Sequence, residues 1–175
     1  MSPGGDAGTG MTATNSVSTG TGNVSAGTSV FSMIVLERPL SRHYPEIDMV
    51  TTPSGKPVAM VHCNNCTNEI NAWAQVFASF LRTLGEEPDI ARIFTAMFTS
   101  ALRGSPDAGG ITLYNFITGE PVTGSSVGCP LLLRSPDSKL TFADFMRAQL
   151  YSALAALKMG VEILSREQVR IDRIF

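Results

Sequence analysis

Apolar residues recur at helical spacing over two adjoining stretches, and this pattern organises the middle of the chain. The first stripe is Ile70, Trp73, Phe77, Phe80, Leu81 and Leu84, which predicts a helix beginning near Asn68, whose side chain can accept from first-turn amides. Gly85 can take positive φ and close it, and Pro88 suits the start of the next helix, where a missing amide costs nothing. The second stripe is Ile90, Ile93, Phe94, Met97, Phe98 and Leu102, stopped by Gly104 and Pro106. A connection this short makes the two helices neighbours. Their aromatic and methionine side chains read as core, each stabilising by about 1.5–3 kcal/mol when fully buried.

A third helix is expected after Thr141, with Asp144 in the place of a capping-box acid. Its stripe is Phe142, Phe145, Met146, Leu150, Ala153, Leu154 and Leu157, and Gly160 is read as its end. Ser165-Arg-Glu-Gln168 offers a further cap for a short C-terminal helix. Strand candidates are short: Phe31–Leu36, Val58–His62, Ile111–Ile117 and Cys129–Arg134, with a weak return strand near Val122. Prolines 39, 45 and 53 make 38–55 irregular, and Ser105–Gly110 is a loop. The fold class expected is α+β: a helix-rich compact domain of three main helices plus a short C-terminal one, with a small sheet of three to four short strands. An extended N-terminal arm precedes it.

That arm, residues 1–30, is built of Gly, Ser, Thr and Ala with one charge and no aromatic, so alone it cannot offset its chain entropy. The expectation is an arm (1–30) that is disordered unless an assembly holds it, followed by a single globular domain (31–175). No apolar run approaches the ~20 residues needed to span a bilayer. No basic-then-apolar leader opens the sequence, so an intracellular or virion location and no membrane partner are expected. Thirteen basic residues nearly balance 15 acidic ones, which removes the footprint of general electrostatic binding to nucleic acid. Ten of the 13 are Arg, however, which suits interfaces and local phosphate grooves. Arg134, Lys139 and Arg147 flank a Ser/Pro turn and form the candidate RNA contact.

Cys63-Asn-Asn-Cys66, placed where a strand leads into a helix, is the sharpest motif, since helix amides can stabilise a thiolate. Gly55 to Cys66, together with Gly128-Cys129-Pro130 followed by Leu-Leu-Leu, a turn and a helix, resembles the thioredoxin family. The resemblance implies a thiol-disulfide oxidoreductase in which Cys63 attacks, Cys66 resolves and Pro130 lines the substrate side. The same cysteines admit a metal reading, with His43, Cys63, Cys66 and Cys129 as a zinc set. Small buried thiols near a helix start are the bland alternative. With two His and no GxSxG, P-loop pattern or spaced carboxylate pair, hydrolysis and phosphoryl transfer have no visible machinery, and neither a cofactor nor a small-molecule substrate is indicated.

The leading expectation is therefore a structural, self-assembling subunit, a homo-oligomer and not an enzyme. Its organisation resembles a small viral coat or capsid protein whose arm and apolar Ile174-Phe175 end lace neighbouring copies together in a virion. The thiol oxidoreductase is the alternative.

Overall fold

The computed structural model describes residues 17–175 and divides the chain into two compact units. One holds residues 17–64, 119–126 and 155–175; the other holds 65–118 and 127–154.

The first unit is built on a five-stranded sheet. Strands β1 (Thr21–Ala26), β2 (Val30–Val35), β3 (Asp48–Thr51) and β4 (Pro57–Cys63) are antiparallel neighbours in the order β3-β4-β2-β1. The short β7 (Arg173–Ile174) joins on the far side of β1, parallel to it, with Thr21 opposite Arg173. β2 is central and reads Val-Phe-Ser-Met-Ile-Val; from Ser32 to Val35 it is buried without a break, because both faces are covered. Ile34, Ala59 and Val61 lie on one face of the sheet, while Met33, Val35 and Val58 form a second cluster on the other with Val17, Phe31, Val50 and Met60. Residues 155–166 of the long last helix bring Gly160 against Val61, where even a methyl group would meet the valine side chain at 2.3 Å.

The second unit contains α1 (Asn68–Thr83), α2 (Ile90–Ala101), the two-stranded sheet of β5 (Ile111–Tyr114) and β6 (Leu131–Arg134), and residues 142–154 of α3 (Phe142–Arg166). α1 buries Ile70, Ala74 and Ala78, and α2 buries Ile93, Met97 and Ala101. Asp89 caps α2 by accepting from the Arg92 amide at 3.1 Å. Thr141 caps α3: its hydroxyl accepts from the Asp144 amide at 3.0 Å and donates to that carboxylate at 2.6 Å. The second Asp144 oxygen accepts from the Ser105 amide at 2.6 Å, and these donors hold its carboxyl below the usual range. Trp73 packs edge-on against Phe145 at 4.8 Å between centroids, and Phe77 against Phe142 at 5.3 Å.

These elements correct the expected helix-rich domain with a small sheet: the fold is mixed α/β, with a five-stranded sheet as its larger element. Three strands carry too little apolar signal to be read from sequence, namely β1, β3 and β7. β1 falls inside the expected arm, where Thr21–Ala26 pairs with a strand on either side; residues 1–16 of that arm lie outside the described residues. α3 continues through Gly160 to Arg166, and the expected C-terminal helix is a turn leading to β7. The return strand near Val122 is a 3₁₀ turn, Pro121–Thr123. No helix among the described residues is long and apolar enough to cross a membrane.

Candidate functional site

At one end of the five-stranded sheet three segments of the first unit meet. The β1–β2 register pairs Ala26 with Val30, so Gly27, Thr28 and Ser29 alone make the turn. Its backbone closes through the Gly27 amide, which donates to the Ser29 carbonyl at 2.8 Å. Thr28 is exposed and Ser29 half-buried, so a glycine and two hydroxyls form the rim. β4 ends opposite this turn, with Cys63 paired to Val30. Asn64 follows, and its side-chain amide donates to the Gly119 carbonyl at 2.9 Å, tying residues 119–126 to the strand end. That segment is a closed turn: Glu120 and Ser125 exchange backbone hydrogen bonds at 2.8 and 3.1 Å around Pro121–Thr123, and Gly124 takes φ 70° to complete it. The Glu120 side chain is fully buried at its base.

This end of the sheet is small and polar, and the described residues on its rim, Gly27, Thr28, Ser29 and Asn64, include no acidic side chain. Backbone amides and hydroxyls of a Gly-containing turn can donate to the oxygens of an anion that approaches the backbone closely. Sequence reasoning missed it because Gly27-Thr28-Ser29 looks like one more low-complexity triplet. The available signal was the alternation of Val24 with Val30 and Ser32 on either side of a three-residue turn.

In the second unit, Asn65 organises the approach to α1. Its side-chain oxygen accepts from the amides of Ile117 at 2.8 Å and Thr118 at 3.0 Å, and its nitrogen donates to the Thr118 carbonyl at 3.2 Å. Asn115 donates to the Cys66 carbonyl at 3.1 Å, and the Ser152 hydroxyl supports it at 3.2 Å. The asparagines around the cysteines are thus structural clamps.

Cys63 and Cys66 are buried, Cys129 and Pro130 are exposed, and no disulfide joins cysteines among the described residues. Burial pushes the Cys66 thiol up, away from the acidic range of a redox nucleophile. His43 lies in the exposed loop after β2, and the described residues hold no cluster of three metal-ligating side chains. Arg134 is exposed on β6 and Lys139 just before α3, whereas Arg147 turns inward: its guanidinium donates to the Ala101 carbonyl at 2.9 Å and the Leu102 carbonyl at 3.0 Å, capping α2.

The family model described as "FGGY family of carbohydrate kinases, C-terminal domain" matches residues 22–175. Among solved structures, the chain is similar to xylulose kinase from Rhodospirillum rubrum at 15% identity, TM-score 0.72, covering 92% of this chain and 30% of that one. It is similar to xylulose kinase from Bifidobacterium adolescentis at 18% identity, TM-score 0.68, covering 90% of this chain and 28% of that one. Glycerol kinase from Plasmodium falciparum, solved with ADP, shares 12% identity at TM-score 0.63, covering 97% of this chain and 33% of that one. The chain therefore spans about a third or less of the length of these kinases. No curated protein matches it in sequence. The shared fold is ribonuclease-H-like, which agrees with the parallel β7 beside an antiparallel β4-β2-β1 set. The family match overturns both expectations of function: the chain is neither a coat or capsid subunit of a virion nor a thioredoxin-like oxidoreductase. It equally overturns the expectation of a non-enzyme, because the matched family is one of carbohydrate kinases.

Proposed function

Because this chain belongs to the FGGY family of carbohydrate kinases, matching its C-terminal domain over residues 22–175, we propose that it serves in transferring a phosphoryl group from a nucleoside triphosphate to a sugar or polyol hydroxyl. In this reading its own contribution is to meet the phosphates, at the sheet end formed by Gly27, Thr28, Ser29 and Asn64.

The observation that carries the reading is the family match, and the geometry of that sheet end agrees with it. Phosphoryl transfer asks little covalent chemistry of the protein; catalysis comes from positioning and from stabilising charge on phosphate oxygens. A turn held by its own hydrogen bond, with two hydroxyls and no acidic side chain on its rim, suits that task. Asn64 positions the turn's neighbour through Gly119. The sugar site and the full reaction require the remaining length that the similar kinases have. A nucleoside triphosphate substrate places the reaction inside the cell. Xylulose and glycerol are the substrates named for the similar kinases, and the substrate class proposed here is no narrower than a hydroxyl of such a compound.

The test is calorimetric titration of the purified chain with magnesium-ADP, on wild type and on Thr28→Val and Ser29→Ala. A hydrogen bond to a charged group is worth about 1.5–3 kcal/mol, so each variant should weaken binding by roughly 10- to 100-fold. Absence of binding to the wild type, or binding that neither variant changes, would overturn the assignment.

A further inference from the structure

We propose that the cavity formed where the chain leaves β2 and where α3 ends binds a small oxyanion, a phosphate monoester or a carboxylate, through Arg38 and Gln168. The inference stands apart from the kinase reading and rests on the first unit alone. β2 starts at Val30, beside the turn of Gly27, Thr28 and Ser29, and ends at Val35, next to the cavity-lining Leu36. At about 3.3 Å per residue, roughly 17 Å of strand separate the two places.

The cavity has a volume of 280 Å³ and is lined by residues 36–40, which follow β2, and 167–170, which follow α3. Gln168 is the first observation. α3 ends in a Schellman motif: the Val169 amide donates to the Leu164 carbonyl at 2.9 Å, and the Gln168 amide to the Ser165 carbonyl at 3.1 Å. Gln168 holds the left-handed position of that motif, at φ 56°, where glycine fits without a Cβ penalty. A glutamine there is strained, and its side chain recovers nothing locally, since its amide has no partner among the described residues. What that exposed side chain does is line the cavity. A strained position occupied by a side chain with no structural bond points to a role in binding.

The balance of charge fixes the class of ligand. Glu37, Arg38, Glu167 and Arg170 line the cavity, and three of these four are engaged. The Glu167 carboxylate accepts from Ser41 and Tyr44. Arg170 donates to Asp172 at 2.7 Å, and Asp172 first and Glu37 second hold its pKa above the usual value. Arg38 makes no hydrogen bond or ion pair among the described residues, so its guanidinium is the charge left over. The Arg38 and Leu40 amides also donate to no protein acceptor among those residues. A planar fork of N–H donors matches the paired oxygens of a phosphate or carboxylate, and the Gln168 amide adds a neutral donor beside it. A cation would be repelled by Arg38, and a neutral ligand would leave it unpaired.

Amide-resolved NMR titration of the full chain tests this, with inorganic phosphate and, separately, acetate at constant ionic strength, on wild type, Arg38→Gln and Gln168→Gly. Saturable shifts are expected at the amides of residues 37–40 and 167–170, with a dissociation constant of about 1 mM for at least one anion. Saturation by phosphate alone assigns a phosphate monoester, by acetate alone a carboxylate, and by both a site that accepts either. Each variant loses a donor to a charged group, so binding should weaken at least about 10-fold. Gln168→Gly carries a second readout. Its urea midpoint should rise, because glycine accepts the left-handed position, so stability increases while binding falls. A purely structural role for Gln168 would not split the two in this way. No saturable shift, shifts confined to Gly27, Thr28 and Ser29, or variants that bind like wild type would overturn the proposal. A lowered midpoint for Gln168→Gly would overturn it as well, since the side chain would then be holding the fold.

Discussion

Gly160→Ala should destabilise the protein, although it replaces glycine by alanine in the interior of a 25-residue helix. Helix propensity alone predicts a gain of about 1 kcal/mol. Against it stands the approach of α3 to β4: a Cβ on residue 160 would lie 2.3 Å from Val61 Cγ1 and 3.0 Å from Cγ2. Val61 is fully buried and its branched side chain is stiff at χ1, so it cannot swing aside as a long side chain could. Overpacking of this kind costs about 1–3 kcal/mol, and the short distance puts it in the upper part of that range. The net effect is a loss of about 1–2 kcal/mol, or roughly 2–8 °C in Tm for a chain of this size. Urea unfolding followed by circular dichroism measures it. The decisive comparison is with Val61→Ala and the double variant, because removing the two methyl groups makes room for the new one. The double variant should then be more stable than the sum of the single effects predicts. If Gly160→Ala is as stable as wild type or more so, close helix-to-strand packing is not the reason for this glycine.

Two further predictions concern polar clamps. Glu167 accepts from the Ser41 amide at 2.9 Å and its hydroxyl at 2.6 Å, and from the Tyr44 hydroxyl; these donors pull its pKa from 4.5 to about 2. Because the folded value is the depressed one, the carboxylate's contribution is complete above the unfolded pKa of 4.5 and fades as pH falls toward about 2. Wild type should therefore exceed Glu167→Gln in urea midpoint at about pH 6 and lose that advantage over this window; a constant difference at every pH would count against the clamp. Asn65→Ala strips the Ile117 and Thr118 amides of this acceptor at a part-buried site, and a hydrogen bond lost there costs about 0.5–1.5 kcal/mol. Loss of stability without loss of cooperativity is the expected outcome of urea unfolding, and an unchanged midpoint would show that water replaces the asparagine.

The helices were the legible part of this chain because one strong period drives each of them. Asn68 and Ile90 begin the helices that the stripes predicted, although Thr67 and not Asn68 holds the N-cap position of α1 and no side chain caps it; Thr141 caps α3 through Asp144 as the spacing implied. β1 was illegible for the opposite reason. Thr21–Ala26 has Val24 as its one large apolar residue, and what holds it is a ladder of backbone hydrogen bonds to strands on both sides, which composition cannot show. The proposed phosphate-facing turn is hidden for a related reason: recognition by amides and hydroxyls needs no charged motif, so Gly27-Thr28-Ser29 carries none. The CxxC pair misled because a thiol's chemistry follows from its surroundings, and burial drives Cys66 away from reactivity. α1 makes the same point about packing. Phe77 and Phe80 belong to one stripe and carry the same periodic signal, yet Phe77 meets Phe142 of α3 and Phe80 is left 60% exposed among the described residues. Periodicity reports that a face is apolar; the geometry of the next element decides whether that face is core or interface. Where the stripe outruns its cover among the described residues, as at Phe80 and Leu84, the apolar face stays exposed although its period is that of a core.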